Sequence, residues 1–334
     1  AVTVAPVGNG SRRVARVTLA DGRVIAVKHF PTAAKAATAE ATLRILHRRG
    51  ALVPEPLAWG DGGDGARGWM AMAWAGDRTL DAALQDDRTG HDAVEALGLG
   101  LVEALATVEA AFAPLSVAAT PVDASSTLRQ LLVPWIDASP SALAWLGTPS
   151  HEPTSRARRW RLIDTVASKA GLAQIGARAL ASPFSVGPLD YHAGNVVVGG
   201  HGARMMIVDL DHVGWDWPAR RVAQYAFDTG ASWTGGAPRL ALIGLQCVYD
   251  AAASALALVH GGEVSAWRGG ILAHAIILVA TAAWHLRQVS EGSADPARIA
   301  AWRDVDGRRA SLQALADRLI GDYFSGGSPS HVPG

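Results

Sequence analysis

The chain has 334 residues, and 30 Lys and Arg balance 30 Asp and Glu, so its formal net charge is zero. This balance gives no electrostatic support for a nucleic-acid partner. A single cysteine, Cys247, excludes an internal disulfide framework and a multi-cysteine metal site. The longest apolar stretch, 269–284, is short for a membrane span of about 20 residues. We therefore expect a cytoplasmic protein of about two domains with no membrane partner.

The first thirty residues predict a β-hairpin. Apolar and β-branched residues flank Asp21 and Gly22, a pair typical of a tight hairpin turn. An earlier turn contains Gly10 and Ser11, and its glycines would let backbone N–H groups approach a phosphate. A plain hairpin connection is the commoner interpretation of such a turn. The second predicted strand ends at Lys28, whose buried ammonium needs a partner because an unpaired buried charge is costly.

An Ala-rich helix is predicted over 32–49, and Glu40 is its only acid. Glu40 is either a solvated helix residue or the partner of Lys28. An apolar strand follows over 69–74, and Gly76 after it marks a domain boundary. This strand packs in a core under either interpretation, with or without a ligand at its end.

Helices dominate the remainder. A long Ala- and Leu-rich helix is predicted over 91–113 and is expected to end at Pro114. We expect 121–185 to be helical with interruptions at its prolines, and 239–324 to form three or four helices. The tail, 325–334, is rich in Gly, Ser and Pro and is expected to be flexible.

The stretch 187–211 predicts a second hairpin, with two short apolar strands joined by a Gly-rich turn. Asp190 and Asn195 precede the first strand, whereas Asp209 and Asp211 follow the second. Antiparallel pairing would bring these polar side chains to one end of the hairpin. Oxygen ligands converging there suit Mg²⁺, and a free carboxylate beside them would accept a proton from an attacking hydroxyl.

Two other interpretations of this stretch stay open. Each residue alone is most often a turn or cap residue, since Asp and Asn favour those places. The set Asp190, His192, Asp209, Asp211 and His212 also has the ligand types of a metallohydrolase. A hydrolase site would leave Lys28 unexplained, and the stretch lacks a histidine pair such as His-x-His.

The spacing Asp-x-x-x-x-Asn, a hairpin, then Asp-x-Asp resembles the catalytic and metal-binding loops of the aminoglycoside phosphotransferase (choline kinase-like) superfamily. The resemblance implies an α+β, bilobal protein-kinase-like fold. Residues 1–75 would form an N-terminal nucleotide-binding lobe with an antiparallel sheet and one helix, and 76–324 a mostly helical catalytic lobe. It also implies Mg²⁺-dependent transfer of the γ-phosphate of ATP or GTP to a small hydroxylated acceptor.

The same resemblance assigns roles to individual residues. Asp190 would be the catalytic base, and the metal ligands would be Asn195, Asp209 and, as an auxiliary one, Asp211. Lys28 would contact the α- and β-phosphates, with Glu40 orienting it. The residues that would contact the nucleotide elsewhere are Gly10 and Ser11 in the phosphate-covering turn, and Met72, Ala73 and Trp74 in the hinge.

The sequence says least about the residues that would bind the acceptor. The stretch after the second hairpin contains Asp216, Asp228 and Trp233, and acidic and aromatic groups there would favour a cationic acceptor. Antibiotic-like molecules, nucleosides, sugars and amino alcohols are the candidate acceptors. The sequence departs from the family pattern at Pro188 and Arg221, which motivates one alternative: a non-catalytic, pseudokinase-like nucleotide-binding module.

Overall fold

The computed structural model describes residues 3–6, 14–63, 67–86, 90–118, 124–147, 169–199, 204–227, 241–302 and 304–325. The fold is α+β, with an antiparallel sheet in the N-terminal part and helices through most of the remainder, which confirms the predicted fold class.

The N-terminal sheet has five strands, all antiparallel to their neighbours, in the order β1-β2-β3-β5-β4. The strands are β1 (Thr3–Pro6), β2 (Val14–Thr18), β3 (Val24–Phe30), β4 (Pro56–Asp61) and β5 (Gly68–Ala73). The predicted hairpin turn joins β2 to β3, where Gly22 has a φ of 87° that a residue with a side chain rarely adopts.

Helix α1 (Ala33–Arg48) packs on this sheet against β4 and β5. It begins where the Thr32 hydroxyl accepts a hydrogen bond from the Lys35 backbone N–H at 3.2 Å, an N-cap that satisfies a free donor of the first turn. Leu43 and Leu46 lie on its buried face. Their burial holds the helix behind the strand that contains Lys28.

Five short strands form two small sheets in the second part of the chain. Strands β6 (Arg78–Thr79), β8 (Val196–Val198) and β9 (Met206–Ile207) form one, and β7 (Ser185–Pro188) pairs with β10 (Val213–Asp216) in the other. The β8–β9 pairing is antiparallel, as the sequence of the stretch 187–211 predicts. A single 3₁₀ turn, Ala193–Asn195, leads into β8.

The helices after the first sheet are α2 (Leu80–Gln85), α3 (His91–Ala118), α4 (Ala124–Gly147), α5 (Lys169–Leu180), α6 (Pro218–Phe227), α7 (Gln246–His260), α8 (Val264–Ser290), α9 (Pro296–Ala301) and α10 (Val305–Ser325). Helix α8 is central: it packs against α4, α5, α6, α7 and α10. Most of its side chains are buried, and this includes His274 in the otherwise apolar stretch.

Two predicted helix boundaries are wrong. Helix α3 continues past Pro114, and α4 continues through Pro134 and Pro140. A proline removes one backbone donor and disfavours the helix around it. Burial of nearby side chains outweighs that cost here, since Phe112 before Pro114 and Leu143 after Pro140 are 1% and 0% exposed.

In the described part of the chain, α3 and α8 are long and apolar enough to cross a membrane by length and composition alone. Of the most apolar window of α8, 72% is buried inside the fold, and for α3 the share is 50%. Core helices of this kind pass the same test, so the finding does not by itself indicate a membrane span.

Candidate active site

A cleft of about 270 Å³ lies between the five-stranded sheet and the β8–β9 hairpin. It is lined by side chains from β3, β5, the segment after β5, and both ends of the hairpin. The residues predicted for nucleotide and metal binding that line it are Lys28, Met72, Ala73, Trp74, Asn195 and Asp209. The structure therefore brings together in one cleft residues that lie up to 181 positions apart.

Lys28 is 7% exposed and lies on β3 at the back of this cleft. Its ammonium donates hydrogen bonds to Oδ1 of Asp209 and Oδ1 of Asp211. The two carboxylates supply the partner that a buried lysine requires. They also show that both side chains converge on one point.

The predicted pairing of Lys28 with Glu40 is wrong for this structure. Glu40 is buried on α1, and its Oε1 accepts hydrogen bonds from Nε and Nη2 of Arg44, the Nε bond being 2.6 Å long. Residues four apart share a helix face, so Arg44 is the nearer cation. Lys28 meanwhile gains two carboxylates from the hairpin.

Asp209 has a left-handed backbone with φ of 61°, and it is the only non-glycine residue of the described chain with a positive φ. Asp and Asn tolerate this conformation better than most residues, yet it costs energy and is common at functional sites. The turn places the carboxylate of Asp209 against Lys28 immediately after β9.

The pKa values of Asp209 and Asp211 are shifted in opposite directions. Burial and the hydrogen bond to Asp211 raise the pKa of Asp209 above its usual range. Burial also acts to raise the pKa of Asp211, but its hydrogen bonds with Asp209 and Lys28 outweigh burial and lower that pKa to about 2. Two carboxylates that share one cation account for this split.

Asp190 lies in the loop between β7 and the 3₁₀ turn, and its side chain is 49% exposed. The Asn195 side-chain amide donates to the Asp190 backbone carbonyl at 2.9 Å, which fixes the loop. His192 accepts the Gly194 N–H on Nδ1 at 3.1 Å, while its Nε2 lies 3.8 Å from Oδ1 of Asp190. The carboxylate is thus held by its backbone and open to a reactant.

The residues present fit a magnesium ion. The Asn195 amide uses its nitrogen to hold Asp190, which leaves its oxygen as the free acceptor on the cleft. Together with the carboxylates of Asp209 and Asp211, it forms the all-oxygen donor set that Mg²⁺ prefers. Among the described residues no group of three His, Cys, Asp or Glu side chains could hold a metal, so the metallohydrolase alternative gains no support.

In the hinge segment, the backbone N–H of Ala73 and the indole N–H of Trp74 already have hydrogen-bond partners in the fold. The Ala73 N–H donates to the Glu55 carbonyl at 2.8 Å, so that donor is already used. The Trp74 indole N–H donates to Asp77 at 3.1 Å, and the guanidinium of Arg16 lies 5.5 Å from the Trp74 ring. Trp74 is thereby fixed as one wall of the cleft.

A buried ion pair that the sequence does not signal supports the loop that contains Asp190. Arg221 on α6 is 0% exposed, and its guanidinium donates to both carboxylate oxygens of Glu109 on α3 at 2.6 and 2.8 Å. It also donates to the Ser185 carbonyl on β7 at 3.2 Å. Strand β7 leads directly to Asp190, so Arg221 supplies a supporting contact where the sequence departs from the family pattern.

Asp216 does not line an acceptor site, contrary to prediction. It is 1% exposed, and its carboxylate accepts hydrogen bonds from the Tyr191 hydroxyl, the Trp217 N–H and Arg220. Polar partners on three sides account for its burial. The other two predicted acceptor residues, Asp228 and Trp233, lie outside the described residues, as do Gly10 and Ser11.

The model of the phosphotransferase enzyme family (APH) matches residues 2–258. No curated protein sequence matches.

Several solved structures are similar at low identity. An aminoglycoside phosphotransferase from Alicyclobacillus acidocaldarius is 13% identical, with a TM-score of 0.48, over 95% of this chain and 92% of that one. An ethanolamine kinase from Plasmodium vivax is 10% identical, with a TM-score of 0.45, over 97% and 84%. An aminoglycoside phosphotransferase from Streptomyces rimosus in complex with ADP and streptomycin is 14% identical, with a TM-score of 0.36, over 94% and 92%.

The family model covers more than three quarters of the chain, and the cleft residues lie inside the matched region. The protein is therefore a kinase-type enzyme whose α+β fold has an N-terminal antiparallel sheet and a mostly helical remainder, and it belongs to the phosphotransferase enzyme family.

Proposed function

We propose that this enzyme transfers the γ-phosphate of ATP or GTP to a hydroxyl group of a small acceptor. The observation that carries the proposal is the cleft in which Lys28, Asn195 and Asp209 meet, next to the loop that presents Asp190. A cation for phosphates, oxygen ligands for Mg²⁺ and an exposed carboxylate are the parts that phosphoryl transfer requires.

Asp190 acts as the catalytic base. It orients the acceptor hydroxyl, whose oxygen attacks the γ-phosphorus while the bond from that phosphorus to the bridging β–γ oxygen breaks. The hydroxyl proton passes to the Asp190 carboxylate, and the nucleoside diphosphate leaves. Positioning of this kind, together with neutralisation of charge, supplies most of the acceleration in such reactions.

Lys28 binds the α- and β-phosphates, and nucleotide entry replaces its hydrogen bonds to Asp209 and Asp211. Those carboxylates and the Asn195 oxygen are then free for Mg²⁺, which would neutralise phosphate charge. Met72, Ala73 and Trp74 contact the nucleotide base, with the Ala73 N–H excluded as a donor because Glu55 occupies it.

The domain boundary at residue 75 separates the nucleotide lobe from the catalytic lobe, 76–324, in this proposal. The acceptor is an antibiotic-like molecule, a nucleoside or a sugar, so antibiotic resistance is one physiological role. We place the enzyme in the cytoplasm, without nucleic-acid or membrane partners.

A transfer screen tests the proposal. Purified enzyme with Mg²⁺ and ATP or GTP is incubated with hydroxylated antibiotics, nucleosides and sugars, and mass spectrometry detects the product. We expect one acceptor class to gain a single phosphate. Asp190→Asn should lower the transfer rate by about 10²–10⁴-fold while nucleotide affinity is kept.

Glu291→Gln is the matched control, because it makes the same acid-to-amide change at a side chain that is 50% exposed and does not line the cleft. It should retain most of the transfer rate. Transfer that persists undiminished in Asp190→Asn removes the proposed base. Nucleotide binding without transfer to any acceptor would favour the pseudokinase-like binding module instead.

A further inference from the structure

A second cavity, of about 300 Å³, lies among the helices of the C-terminal part. Its volume is at the small end of the range of about 300–1,000 Å³ that is typical of ligand pockets. It is formed by α4, α6, α8 and the residue after α9. The lining residues that carry the argument are Trp135, Arg220, Gln224, His274, His285 and Trp302.

Aromatic rings form one side of this cavity. The His285 ring lies 5.7 Å from that of Trp135 and 6.4 Å from that of Trp302, at steep interplanar angles. Apolar residues of α8, such as Ile277 and Leu278, continue the wall. Such a surface binds the flat, apolar face of a ring.

His274 gives the cavity a polar group without a partner. It is 1% exposed, and its Nε2 has no hydrogen-bond partner among the residues that the structure describes. A backbone hydrogen bond at Ala179 engages the ring, and burial lowers the pKa of His274 to about 3, so the ring is neutral. With the proton on the nitrogen that faces Ala179, Nε2 carries a lone pair and no positive charge, so His274 adds no cation to this side of the cavity.

The charge of the wall is unsuited to a cation. Arg220 supplies its permanent charge and is paired with buried Asp216 at 3.0 Å. No carboxylate is present among the described lining residues. An ammonium group entering here would lose its hydration without gaining a counter-ion.

The cavity is connected to the catalytic loop through Tyr191. Tyr191 follows Asp190 directly, its hydroxyl donates to Asp216, and the Arg220 guanidinium lies 5.7 Å from its ring. Arg220 thus contacts the catalytic loop on one side and the cavity on the other.

Resting on the proposed phosphotransfer, we infer that this cavity holds the ring of the acceptor, and that the acceptor is an uncharged hydroxylated compound with an apolar ring face. Gln224 and Arg220 determine which charge is tolerated. A cationic acceptor, as predicted from Asp216 and its neighbours, is disfavoured.

Three aryl glucosides of matched shape test this inference: para-carbamoylphenyl, para-carboxyphenyl and para-aminomethylphenyl glucoside. They are neutral, anionic and cationic at neutral pH. Binding to the wild-type enzyme is measured by calorimetry in the presence of Mg²⁺ and ADP. We expect the neutral probe to bind and the cationic probe to bind at least about tenfold more weakly, equivalent to 1.4 kcal/mol.

A charge variant gives a second, independent readout. Gln224→Glu places a carboxylate in the cavity with little change in shape, and it should reduce the preference for the neutral probe about tenfold by strengthening the cationic probe. Gln174→Glu makes the same change at an exposed position of α5 that does not line the cavity, and it should leave the ranking unchanged.

The inference is overturned if none of the three glucosides binds, if the wild type prefers the cation, or if both glutamate variants behave alike. ADP binding, measured separately, and phosphate transfer, measured by mass spectrometry, report on the proposed function. A charge-ordered affinity without transfer to any acceptor of the screen would therefore count against phosphotransfer and still support the charge preference of the cavity.

Discussion

Arg221 and Glu109 form a bidentate ion pair in the interior, although 112 positions separate them in sequence. The pair joins α3 to α6. His260 on α7 also contacts Glu109, and its Nε2 lies 3.2 Å from Oε2 of that residue. Arg221 also donates to backbone carbonyls of Ser185 and Asp216. One side chain thus joins the helices to both strands of the sheet that leads to the catalytic loop.

Arg221→Met should destabilise the fold by about 3–5 kcal/mol, because it leaves the Glu109 carboxylate buried without its main partner. Urea unfolding measures the loss. Arg287→Ala is the control: it removes an ion pair to Glu291 whose members are 39% and 50% exposed. Such surface pairs contribute about 0–1 kcal/mol. Equal effects of the two substitutions would show that burial does not strengthen the Arg221 pair.

Acid should unfold the protein partly through Glu109. Burial acts to raise its pKa, but Arg221 and His260 outweigh that effect and lower the pKa from 4.5 to about 2. A depressed native pKa gives stability that is complete above 4.5 and is lost as pH falls toward 2, up to about 3 kcal/mol. Glu109→Gln should flatten the acid limb of a stability–pH curve between these values, and an unchanged limb would contradict the assignment.

Gly187→Ala should destabilise the protein by about 1–3 kcal/mol, typical of overpacking. A Cβ at this position of β7 would lie 2.6 Å from Cζ of Arg221, which is fixed by its own hydrogen bonds. Gly321→Ala is the same change on α10, where nothing lies within 4 Å of the added carbon. It should be neutral or stabilising by up to about 1 kcal/mol, since alanine favours a helix. Thermal unfolding compares the two, and a stable Gly187→Ala variant would be the contrary outcome.

Lys28→Met and Glu40→Gln should have different effects on nucleotide affinity. Lys28 lies in the cleft, and its loss should weaken ADP or GDP binding by at least about tenfold, the effect of losing one charge-assisted hydrogen bond of 1.5–3 kcal/mol. Glu40 is engaged with Arg44, so Glu40→Gln should change affinity by less than about threefold. Calorimetric titration decides the matter. Equal losses would mean that Glu40 turns to Lys28 when the nucleotide binds.

The hairpins of this fold were predictable because their signals are local. Asp21 and Gly22 specify the first turn, and the antiparallel pairing of β8 with β9 brings Asn195 and Asp209 to one cleft. The partner of Lys28 was not predictable, since the choice between Glu40 and the hairpin aspartates depends on three-dimensional distances. Glu109 offers no signal at all: it is one acid of a long helix, and only the fold places it against Arg221.

Local signals also failed where packing was stronger. Pro114 and Pro134 are typical helix breakers, yet the helices that contain them continue, with Phe112 and Leu132 buried just before each proline. Its position among tryptophans made Asp216 a candidate for contact with the acceptor. In the structure it is buried and accepts hydrogen bonds from Tyr191 and Arg220. Whether an acid is buried is a tertiary property that a short sequence window does not contain.

Helix α6 places Arg220 and Arg221 next to each other, one bordering the acceptor cavity and the other held by Glu109. If this helix is randomised to change the choice of acceptor, substitutions of Arg220 should therefore be tolerated, whereas substitutions of its neighbour Arg221 should not. Libraries restricted to position 224, one turn further along the same wall, keep the scaffold intact while they vary the chemistry that a new acceptor meets.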